Sequence, residues 1–291
     1  MEETLLLAVS GGPDSMFMLD RYKKRNIVVA FVNYNKRSDS WKDEMIVTDF
    51  CKKYNIPMHI FSVADDFEYE GNFQDIAREQ RYAFFKDIYD QYNCSKLLIA
   101  HHKDDWLETA IMQKTSNRHV LYYGIKQRNL LNGMNIYRPF IHRYWKDEIE
   151  QKLKDKNIKY AIDYTNALNV YTRNKIRNKL KLLTKDEKQK MIEIFRFSNK
   201  KFTYINKVVE KEIEFWREQE FSCEEKVLLK IRYPQYVLFY LLHDNFKDIK
   251  ISWNKLSSIW MFIISQTNRT SKYLLKNDTY LYKKKHKLIL N

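Results

Sequence analysis

The chain has 291 residues and a formal net charge of +15, and 44% of its residues are hydrophobic. This length and composition support a hydrophobic core in one large or two medium domains, and no apolar run approaches the roughly 20 residues of a membrane-spanning helix. Three widely separated cysteines and the start Met1-Glu2-Glu3 predict a cytoplasmic protein without disulfides, signal peptide or membrane partner.

The first half of the chain alternates strand and helix patterns. Strands are predicted at residues 4–9, 27–32, 58–63 and 96–100, and helices at residues 14–24, 40–54, 73–92 and 104–115. This order predicts an α/β fold, a doubly wound parallel sheet with helices on both faces. Ligands of such sheets bind beyond the carboxyl ends of the strands, and the segments after residues 9 and 100 fall there.

The first predicted strand runs into a glycine-rich turn, although the chain has only five glycines. The segment reads Ser10-Gly11-Gly12-Pro13-Asp14-Ser15. Glycine lets the backbone approach a ligand closely, and the unpaired N–H groups at the following helix start favour an anion. The segment is not a Walker A motif, because no Gly-Lys-Ser/Thr follows. We interpret it as a phosphate loop rather than as an ordinary strand-to-helix turn.

A second polar cluster follows the fourth predicted strand. It reads Ala100-His101-His102-Lys103-Asp104-Asp105-Trp106-Leu107-Glu108-Thr109. On a helix, His101, Asp105 and Glu108 share one face. Facing a phosphate loop, they could bind Mg²⁺, orient an amine or take its proton. Taken alone, the acidic pair could simply complement the helix N-terminus while the histidines fill space; beside the loop, we favour a functional site.

The second half of the chain carries the positive charge. Residues 1–150 contain 21 Lys and Arg against 22 Asp and Glu, whereas residues 151–291 contain 31 against 15. Such a split indicates a large polyanionic partner such as a nucleic acid. We place the domain boundary between residues 185 and 186, and we expect the charged run 185–190 to be a linker or a solvated helix end.

The elements of the second half are predicted less completely. Residues 116–140 have an irregular pattern with several turn signals. Helical patterns occur at residues 145–158 and 174–182 and from about 191 to 263. Residues 272–290 are predicted to form one hairpin that turns at Asn277-Asp278. The second domain is therefore expected to be smaller than the first and mainly helical.

These motifs together resemble those of the tRNA(Ile)-lysidine synthetase family, a branch of the PP-loop ATP pyrophosphatases. Residues 10–15 resemble the superfamily's phosphate loop, and residues 100–109 resemble the family's Ala-His-His-x-Asp-Asp-x-x-Glu-Thr. Three further regions agree in order and spacing: Ala77–Tyr82, Arg138–Phe140, and Asp163–Asn166 with Tyr171–Arg177. One loop departs from the family pattern: it reads Tyr34-Asn35-Lys36-Arg37 where His-Gly-Leu-Arg is common, so no family role is carried over to it.

The resemblance implies an enzyme that joins free L-lysine to C2 of the wobble cytidine of the CAU-anticodon isoleucine tRNA. ATP first adenylates the cytidine oxygen and releases pyrophosphate, and the lysine ε-amine then displaces AMP. Because that amine is mostly protonated at neutral pH, the site needs carboxylates that bind it and help it to lose a proton. The expected ligands are thus ATP, Mg²⁺, lysine and this tRNA, and the resemblance also suggests a homodimer.

The expected roles follow from the matched positions. The phosphates are expected to lie against Ser10, Gly11, Gly12, Pro13, Asp14 and Ser15, and Mg²⁺ against Asp14 and Asp105. The expected catalytic residues are Asp14, His101, Asp105, Glu108 and Arg173. Of these, His101 contacts the adenylating phosphate or the activated base, Glu108 binds the lysine amine, and Arg173 balances the charge of the adenylate or orients the nucleotide.

Two sets of basic residues have less specific expectations. Arg78 and Arg81 are either substrate contacts or salt-bridge partners on a helix face. The segment 171–190 contains eight Lys and Arg and is the expected contact with the tRNA phosphates.

Three other functions remain open at this point. A tRNA cytidine thiolase of the same superfamily is expected to use a cysteine pair, and the chain has no Cys-x-x-Cys. A small-molecule amidating ligase would not explain why the second half of the chain is basic. A non-catalytic tRNA-binding protein has no need of the intact Asp14, Asp105 and Glu108.

Overall fold

The computed structural model describes residues 3–33, 39–62, 73–116, 120–162, 172–246, 249, 251–265, 271–276 and 278–290. Its internal contacts divide the chain into two units. The first contains Met1–Ile111 and Gly124–Thr184, and the second contains Met112–Tyr123 and Lys185–Asn291. We expected residues 112–123 to lie in the first domain, whereas the contacts place them in the second unit.

The chain begins with four strand–helix pairs, which confirms the predicted α/β alternation. They are β1 (Leu5–Val9), α1 (Pro13–Tyr22), β2 (Ile27–Asn33), α2 (Ser40–Lys53), β3 (Met58–Ser62), α3 (Phe73–Gln91), β4 (Lys96–Ile99) and α4 (Lys103–Thr115). Strands β1 to β4 are parallel to their neighbours. Strands β1 and β2 read as nearly continuous apolar runs, because both faces of a parallel sheet are covered.

The region expected to be irregular, residues 116–140, instead contains a short hairpin. It consists of β5 (Arg128–Leu131) and β6 (Met134–Tyr137), and β6 adds to the sheet parallel to β4. The turn residues Asn132 and Gly133 both have positive φ, 49° and 74°, as a tight hairpin turn requires. The sheet order is therefore β3-β2-β1-β4-β6-β5. The first unit continues with α5 (Lys146–Asp155) and α6 (Thr172–Lys181).

The two faces of this sheet pack into separate hydrophobic layers. One face contacts α1, α2 and α5 through residues such as Phe17, Val47 and Ile149. The other contacts α3 through Tyr82 and Phe85. The chain moves from β1 outward to β2 and β3, and β4 lies on the other side of β1. The strand order thus reverses between β1 and β4, and their carboxyl ends border the crevice where such sheets bind ligands.

The second unit is mainly helical, as predicted. Its helices are α7 (Lys185–Glu218), α8 (Glu225–Leu228), α9 (Pro234–Asn245) and α10 (Trp253–Ile264). We expected residues 185–190 to be a linker or a solvated helix end. They form the first turns of the 34-residue α7. In the described part of the chain, no helix combines the length and the apolarity that crossing a membrane requires.

The predicted C-terminal hairpin is present, but residues 272–289 form three strands rather than two. They are β7 (Lys272–Lys276), β8 (Thr279–Lys284) and β9 (Lys287–Ile289), paired antiparallel in the order β7-β8-β9. The second turn lies at Lys285 and His286, with φ of 48° and 57°. Neither residue is one of the usual turn formers with positive φ, so the sequence carries no signal for this turn.

A buried side chain explains why residues 112–123 lie with the second unit. Asn199 of α7 is buried. Its Oδ1 accepts a hydrogen bond from the Tyr123 backbone N–H at 2.7 Å, and its Nδ2 donates to the Tyr123 carbonyl at 2.9 Å. The Tyr123 ring also packs against Phe195 and Phe202. This two-sided amide contact satisfies both backbone polar groups of Tyr123 and the buried amide of Asn199.

Asp20 joins α1 to the end of α5 and supplies a test of the fold. Its buried carboxylate accepts hydrogen bonds from Lys23 Nζ at 2.6 Å and Lys156 Nζ at 2.5 Å. Burial opposes ionisation, but the two lysines outweigh it and hold the pKa of Asp20 below its usual value. Because this pKa is lower in the folded than in the unfolded state, the ion pairs stabilise the protein above about pH 4, and this contribution is lost as the pH falls further.

We expect Asp20→Asn to lower the free energy of unfolding at pH 7 by about 1–2 kcal/mol, measured by urea denaturation. The difference from wild type should shrink below about pH 4, where the Asp20 carboxylate becomes protonated first in the unfolded state and then, at lower pH, in the folded state. Asp90→Asn, which breaks an exposed pair with Lys86, is the matched control and should change stability by under about 0.5 kcal/mol. Equal effects of the two substitutions would contradict the assignment.

Candidate active site

The glycine loop joins β1 to α1 and leaves the start of the helix open. Gly12 is the N-cap residue, with φ −71° and ψ 167°, and no described side chain caps the helix there. The N–H groups in the first turn of a helix have no acceptor within the helix. Together with the positive end of the helix dipole, they form a site that favours an anion.

Gly11 has a conformation and a position that a larger residue could not share. Its φ is +79°, and a Cβ there would lie 3.0 Å from the carbonyl oxygen of Asp43 in α2. Its own carbonyl accepts a hydrogen bond from Ala161 N–H at 2.9 Å. The loop is thus held between α2 and the segment after α5, with its backbone close to both.

Ser10 and Ser15 stabilise the loop through hydrogen bonds within it. Ser15 Oγ accepts from the Ser10 backbone N–H at 3.1 Å and donates to the Gly12 carbonyl at 2.9 Å. The Ser10 and Ser15 hydroxyls lie 3.3 Å apart. Ser15 is buried and Ser10 is exposed, so Ser10 is the hydroxyl that a ligand in the loop can reach.

His102 lies between the carboxylates that follow β1 and β4. Its Nε2 is 3.5 Å from Asp14 Oδ1 and 3.3 Å from Asp105 Oδ2, and its Nδ1 is 3.5 Å from Asp104 Oδ2. The His102 backbone N–H also donates to Asp105 Oδ2 at 3.0 Å. Asp14 Oδ1 is buried and has no hydrogen-bond partner among the described residues.

These carboxylates control the charge of the buried imidazole. Burial alone would lower the pKa of His102, but Asp105, Asp104 and Asp14 outweigh it and raise this pKa far above its usual value. Burial likewise opposes ionisation of Asp105, yet the two histidines and Arg173 keep its pKa below the usual range. His102 is therefore an imidazolium at neutral pH, held between carboxylates.

Glu108 is buried on α4 and is bound by two arginines of α6. Arg173 Nε donates to Glu108 Oε2 at 2.8 Å, and Arg173 Nη2 donates to Asp105 Oδ1 at 2.9 Å. Arg177 donates through Nε to Oε1 at 2.8 Å and through Nη2 to Oε2 at 3.1 Å. Charge-assisted pairs of this kind, with two donors to one carboxylate, fix the guanidinium plane as well as its position.

His101 has the opposite charge state to its neighbour. Burial, together with nearby Arg138 and Arg173, lowers the pKa of His101 to about 4 against the attraction of Asp105. Arg138 Nε donates to His101 Nδ1 at 3.1 Å, so the proton of the neutral ring is on Nε2. His101 can then donate one hydrogen bond from Nε2 to an anion without carrying charge.

The structure brings together most of the residues that the sequence predicts for the site. Asp14, Asp105, Glu108 and Arg173 form one chain of contacts through His102, and His101 lies beside it. Asp105 has both oxygens engaged, by Arg173 and by His102. Among the described residues, no group of three or more His, Cys, Asp or Glu is arranged as a metal site.

Four further residues of the site were not predicted as such. They are His102, Arg138, Lys146 and Arg177. Lys146 Nζ lies 3.5 Å from Asp14 Oδ2, and its backbone N–H donates to Asp104 Oδ2 at 2.9 Å. The sequence offered one signal, the adjacent pair His101-His102, but which histidine faces the carboxylates depends on where α4 begins.

Of the remaining predicted positions, two arginines lie on α3 and others fall outside the described residues. Arg78 and Arg81 lie against the ring of Tyr82, with Cζ 4.8 Å and 5.8 Å from its centroid. Their expected role as substrate contacts or salt-bridge partners stays a prediction. Residues 34–37 and 163–166 fall outside the described residues.

Comparison with known proteins identifies the family to which this chain belongs. A family model described as a PP-loop domain matches residues 1–183. Among solved structures, the U34-tRNA thiolase NcsA from Methanococcus maripaludis has a TM-score of 0.56 and 17% sequence identity, covering 68% of this chain and 73% of that chain. At that identity the likeness shows the fold alone.

Curated relatives match nearly the whole chain. The tRNA(Ile)-lysidine synthase of Mycoplasmopsis pulmonis (strain UAB CTIP) is 43% identical over 96% of this chain and 96% of its own length. Those of Mesomycoplasma hyopneumoniae (strain 232) and Mycoplasma genitalium are 35% and 37% identical over 99% of this chain, covering 96% and 98% of their own lengths. The chain therefore belongs to the tRNA(Ile)-lysidine synthase family of PP-loop proteins.

Proposed function

We propose that this enzyme uses ATP to join free L-lysine to C2 of the wobble cytidine in the CAU-anticodon isoleucine tRNA. The cytidine O2 attacks the α-phosphorus of ATP, and pyrophosphate leaves. The lysine ε-amine, after losing a proton, then forms the new C2–N bond as the bond between C2 and the AMP oxygen breaks. Adenylation is needed because the unmodified oxygen on C2 is a poor leaving group.

One observation carries this proposal: the phosphate loop and the charged cluster meet where the strand order reverses. The loop follows β1 and the cluster follows β4, and these strands are neighbours. An anion bound at the uncapped start of α1 would therefore lie beside Asp14, His102 and Lys146. The site offers anion donors and carboxylates side by side, as a reaction between a phosphorylated base and an amine needs.

The loop fits the phosphates of ATP. Gly11 brings the backbone close, Gly12 and Pro13 start an uncapped helix, and Ser10 Oγ is exposed. We propose that the α1 N–H groups and Ser10 bind the phosphates and that Ser15 keeps the loop in shape. Neutral His101 can add a hydrogen bond to the phosphate that joins the base.

Asp14 is the residue that best fits the expected Mg²⁺. Its Oδ1 is buried without a hydrogen-bond partner among the described residues, and Mg²⁺ often binds through one or two carboxylates plus substrate phosphates and water. Asp105 would be a second ligand only after giving up a contact with Arg173 or His102. Bound Mg²⁺ would neutralise phosphate charge in the site.

The expected amine ligand Glu108 is already bound by two guanidinium groups. We propose that the lysine ammonium displaces Arg173 from Glu108, which keeps that buried carboxylate paired with a cation. The released Arg173 would then be available to the phosphate of the adenylate. This exchange gives Glu108 and Arg173 the roles expected from the sequence without leaving a buried charge unpaired.

The charge of the second half supports a tRNA substrate. The excess of Lys and Arg lies wholly in residues 151–291, and phosphate contacts by such residues supply much of the affinity for nucleic acids. We also propose that the enzyme acts in the cytoplasm as a homodimer. The three cysteines are free and buried, as expected in a reducing compartment.

The central test measures pyrophosphate release from ATP with the isoleucine tRNA and free lysine added separately and together. We expect release to require the tRNA, and full turnover with lysidine in the product to require both. Pyrophosphate release that depends on neither the tRNA nor lysine would refute the proposal. Turnover that needs tRNA and a sulfur donor would instead identify a thiolase, and turnover without RNA a small-molecule ligase.

We expect Asp14→Asn to lower the rate of tRNA-dependent pyrophosphate release by about 100-fold or more, because it removes the carboxylate charge best placed for Mg²⁺. Affinity for the tRNA, measured by fluorescence anisotropy, should stay within about twofold. Asp155→Asn, at the end of α5, is the matched control and should retain full activity. An active Asp14→Asn enzyme would remove Asp14 from the proposed site.

The basic helix α6 gives a separate prediction for tRNA binding. Arg173 and Arg177 are paired with carboxylates, whereas Lys175 and Lys179 are exposed on the same helix. We expect Lys175→Gln with Lys179→Gln to weaken tRNA binding and to lower the slope of log affinity against log salt by about 0.7–0.9 per lysine. The KM for ATP should not change. An unchanged salt slope would place the tRNA elsewhere.

A further inference from the structure

The outward face of the C-terminal sheet is built unlike its inward face. Leu275, Leu281 and Leu288 point inward and are buried. Lys283 also points inward, where its Nζ donates to the Ile263 carbonyl at 2.9 Å, near the end of α10. Because side chains alternate along a strand, their neighbours in β7, β8 and β9 point the other way. We call six of these the tyrosine face: Lys272, Leu274, Tyr280, Tyr282, Lys284 and Ile289.

The register places the two tyrosines side by side on this face. Tyr282 lies opposite Lys272 on one side and Ile289 on the other, and Tyr280 lies opposite Leu274. The ring centroids of Tyr280 and Tyr282 are 6.3 Å apart. Leu274 is 49% exposed, and both tyrosines are only partly buried, so the rings and the leucine form a surface rather than part of the core.

Charge distinguishes this face from an ordinary apolar patch. Lys272 Nζ lies 4.8 Å from the Tyr280 ring centroid, and Lys284 Nζ lies 5.8 Å from that of Tyr282. The three strands contain no acidic residue. Lys287 at the edge pairs with Glu220, so the positive charge of the face comes from the lysines beside the rings.

We propose that the tyrosine face binds unpaired nucleotides of the substrate tRNA. Two bases stack on Tyr280 and Tyr282, and Lys272 and Lys284 turn from the rings to the adjacent phosphates. Aromatic side chains on a small antiparallel sheet are a common way to hold single-stranded RNA, because every base offers a stacking surface. This inference rests on the proposed tRNA-modifying function and assigns part of its RNA contact.

Size and charge both favour RNA over a second copy of the chain. Three strands of about five residues cover roughly 14 Å by 17 Å, or about 240 Å². A stable protein interface buries about 800 Å² on each partner, so this face alone is too small. Two copies meeting here would also oppose lysine to lysine, which is unfavourable. The same area accommodates two stacked bases.

The test compares substitutions that keep or remove the rings. We expect Tyr280→Leu with Tyr282→Leu to weaken binding of the isoleucine tRNA by about tenfold or more and to raise the KM for tRNA by a similar factor. The value of kcat at saturating tRNA and the KM for ATP should stay unchanged. Tyr280→Phe with Tyr282→Phe keeps the stacking surface and should bind within about twofold of wild type.

The lysines are tested through salt dependence. Lys272→Gln with Lys284→Gln should lower the slope of log affinity against log salt by about 0.7 per lysine. The control is Lys226→Gln with Lys230→Gln: Lys226 pairs with Glu224, and Lys230 lies 5.2 Å from the Phe215 ring. These lysines are exposed but lie outside the tyrosine face. The slope of log affinity against log salt for this double variant should therefore match that of wild type.

Each outcome decides between defined alternatives. If wild type needs tRNA and lysine but the leucine variant binds tRNA normally, the tyrosine face is not an RNA surface and the proposed function stands. If wild type shows no tRNA dependence, the proposed function itself fails.

Loss of tRNA binding in the phenylalanine variant would overturn the proposed stacking of bases on the two rings. A changed sedimentation coefficient with normal tRNA binding would identify a protein interface instead. Should the leucine variant fail to fold, the phenylalanine and lysine variants still decide.

Discussion

The site depends on a buried positive charge held between carboxylates from two neighbouring strands. Strands β1 and β4 are adjacent, so the acidic residues that follow them arrive at the same edge of the sheet. Carboxylates this close would repel one another and resist ionisation. The imidazolium of His102, 3.5 Å from Asp14 and 3.3 Å from Asp105, places an opposite charge between the two carboxylates, and so it holds the phosphate loop and α4 in one site.

The rest of the site follows the same balance of charge. Asp14, Asp104, Asp105 and Glu108 face His102, Lys146, Arg173 and Arg177, and Arg138 beside His101 is a fifth cation. Most of the positive charge of the site is therefore already paired with carboxylates before a triphosphate binds. Binding ATP with a divalent cation and exchanging one arginine for the lysine ammonium both preserve that balance. The exchange therefore agrees with the electrostatics of the whole cluster.

The fold supports this cluster through contacts between distant parts of the chain. The Lys103 N–H donates to the Tyr144 carbonyl at 3.0 Å, and His102 forms a bridge to Phe140. Behind them, Trp106 is fully buried under Gly124, where a Cβ would lie 2.4 Å from the indole ring. The start of α4 thus has little freedom to move, and the side chains at its first turn keep their places.

Local sequence patterns were enough to predict the order of the first four strands and helices, the glycine-rich loop and the acidic start of α4. These features have local causes: hydrophobic periodicity over five or more residues, glycine where φ is positive, and carboxylates at a helix start. The sequence also indicated the basic, mainly helical second unit. It did not reveal β5, β6 and β9, because they mix polar and apolar residues within three or four positions, whereas the equally short β4 contains the apolar run Leu97-Leu98-Ile99. The turn at Lys285 and His286 also has no usual signal.

The partners of the charged residues, in contrast, depend on contacts between distant parts of the chain. Arg177 is 69 residues from Glu108, and Asn199 is 76 residues from Tyr123, so nothing in their local sequences links them. Which of the two adjacent histidines is charged also depends on contacts with residues that are distant in the sequence. Burial lowers the pKa of both side chains, but Asp105, Asp104 and Asp14 outweigh it at His102, whereas His101 stays neutral beside Arg138. These surroundings exist only once the sheet has formed.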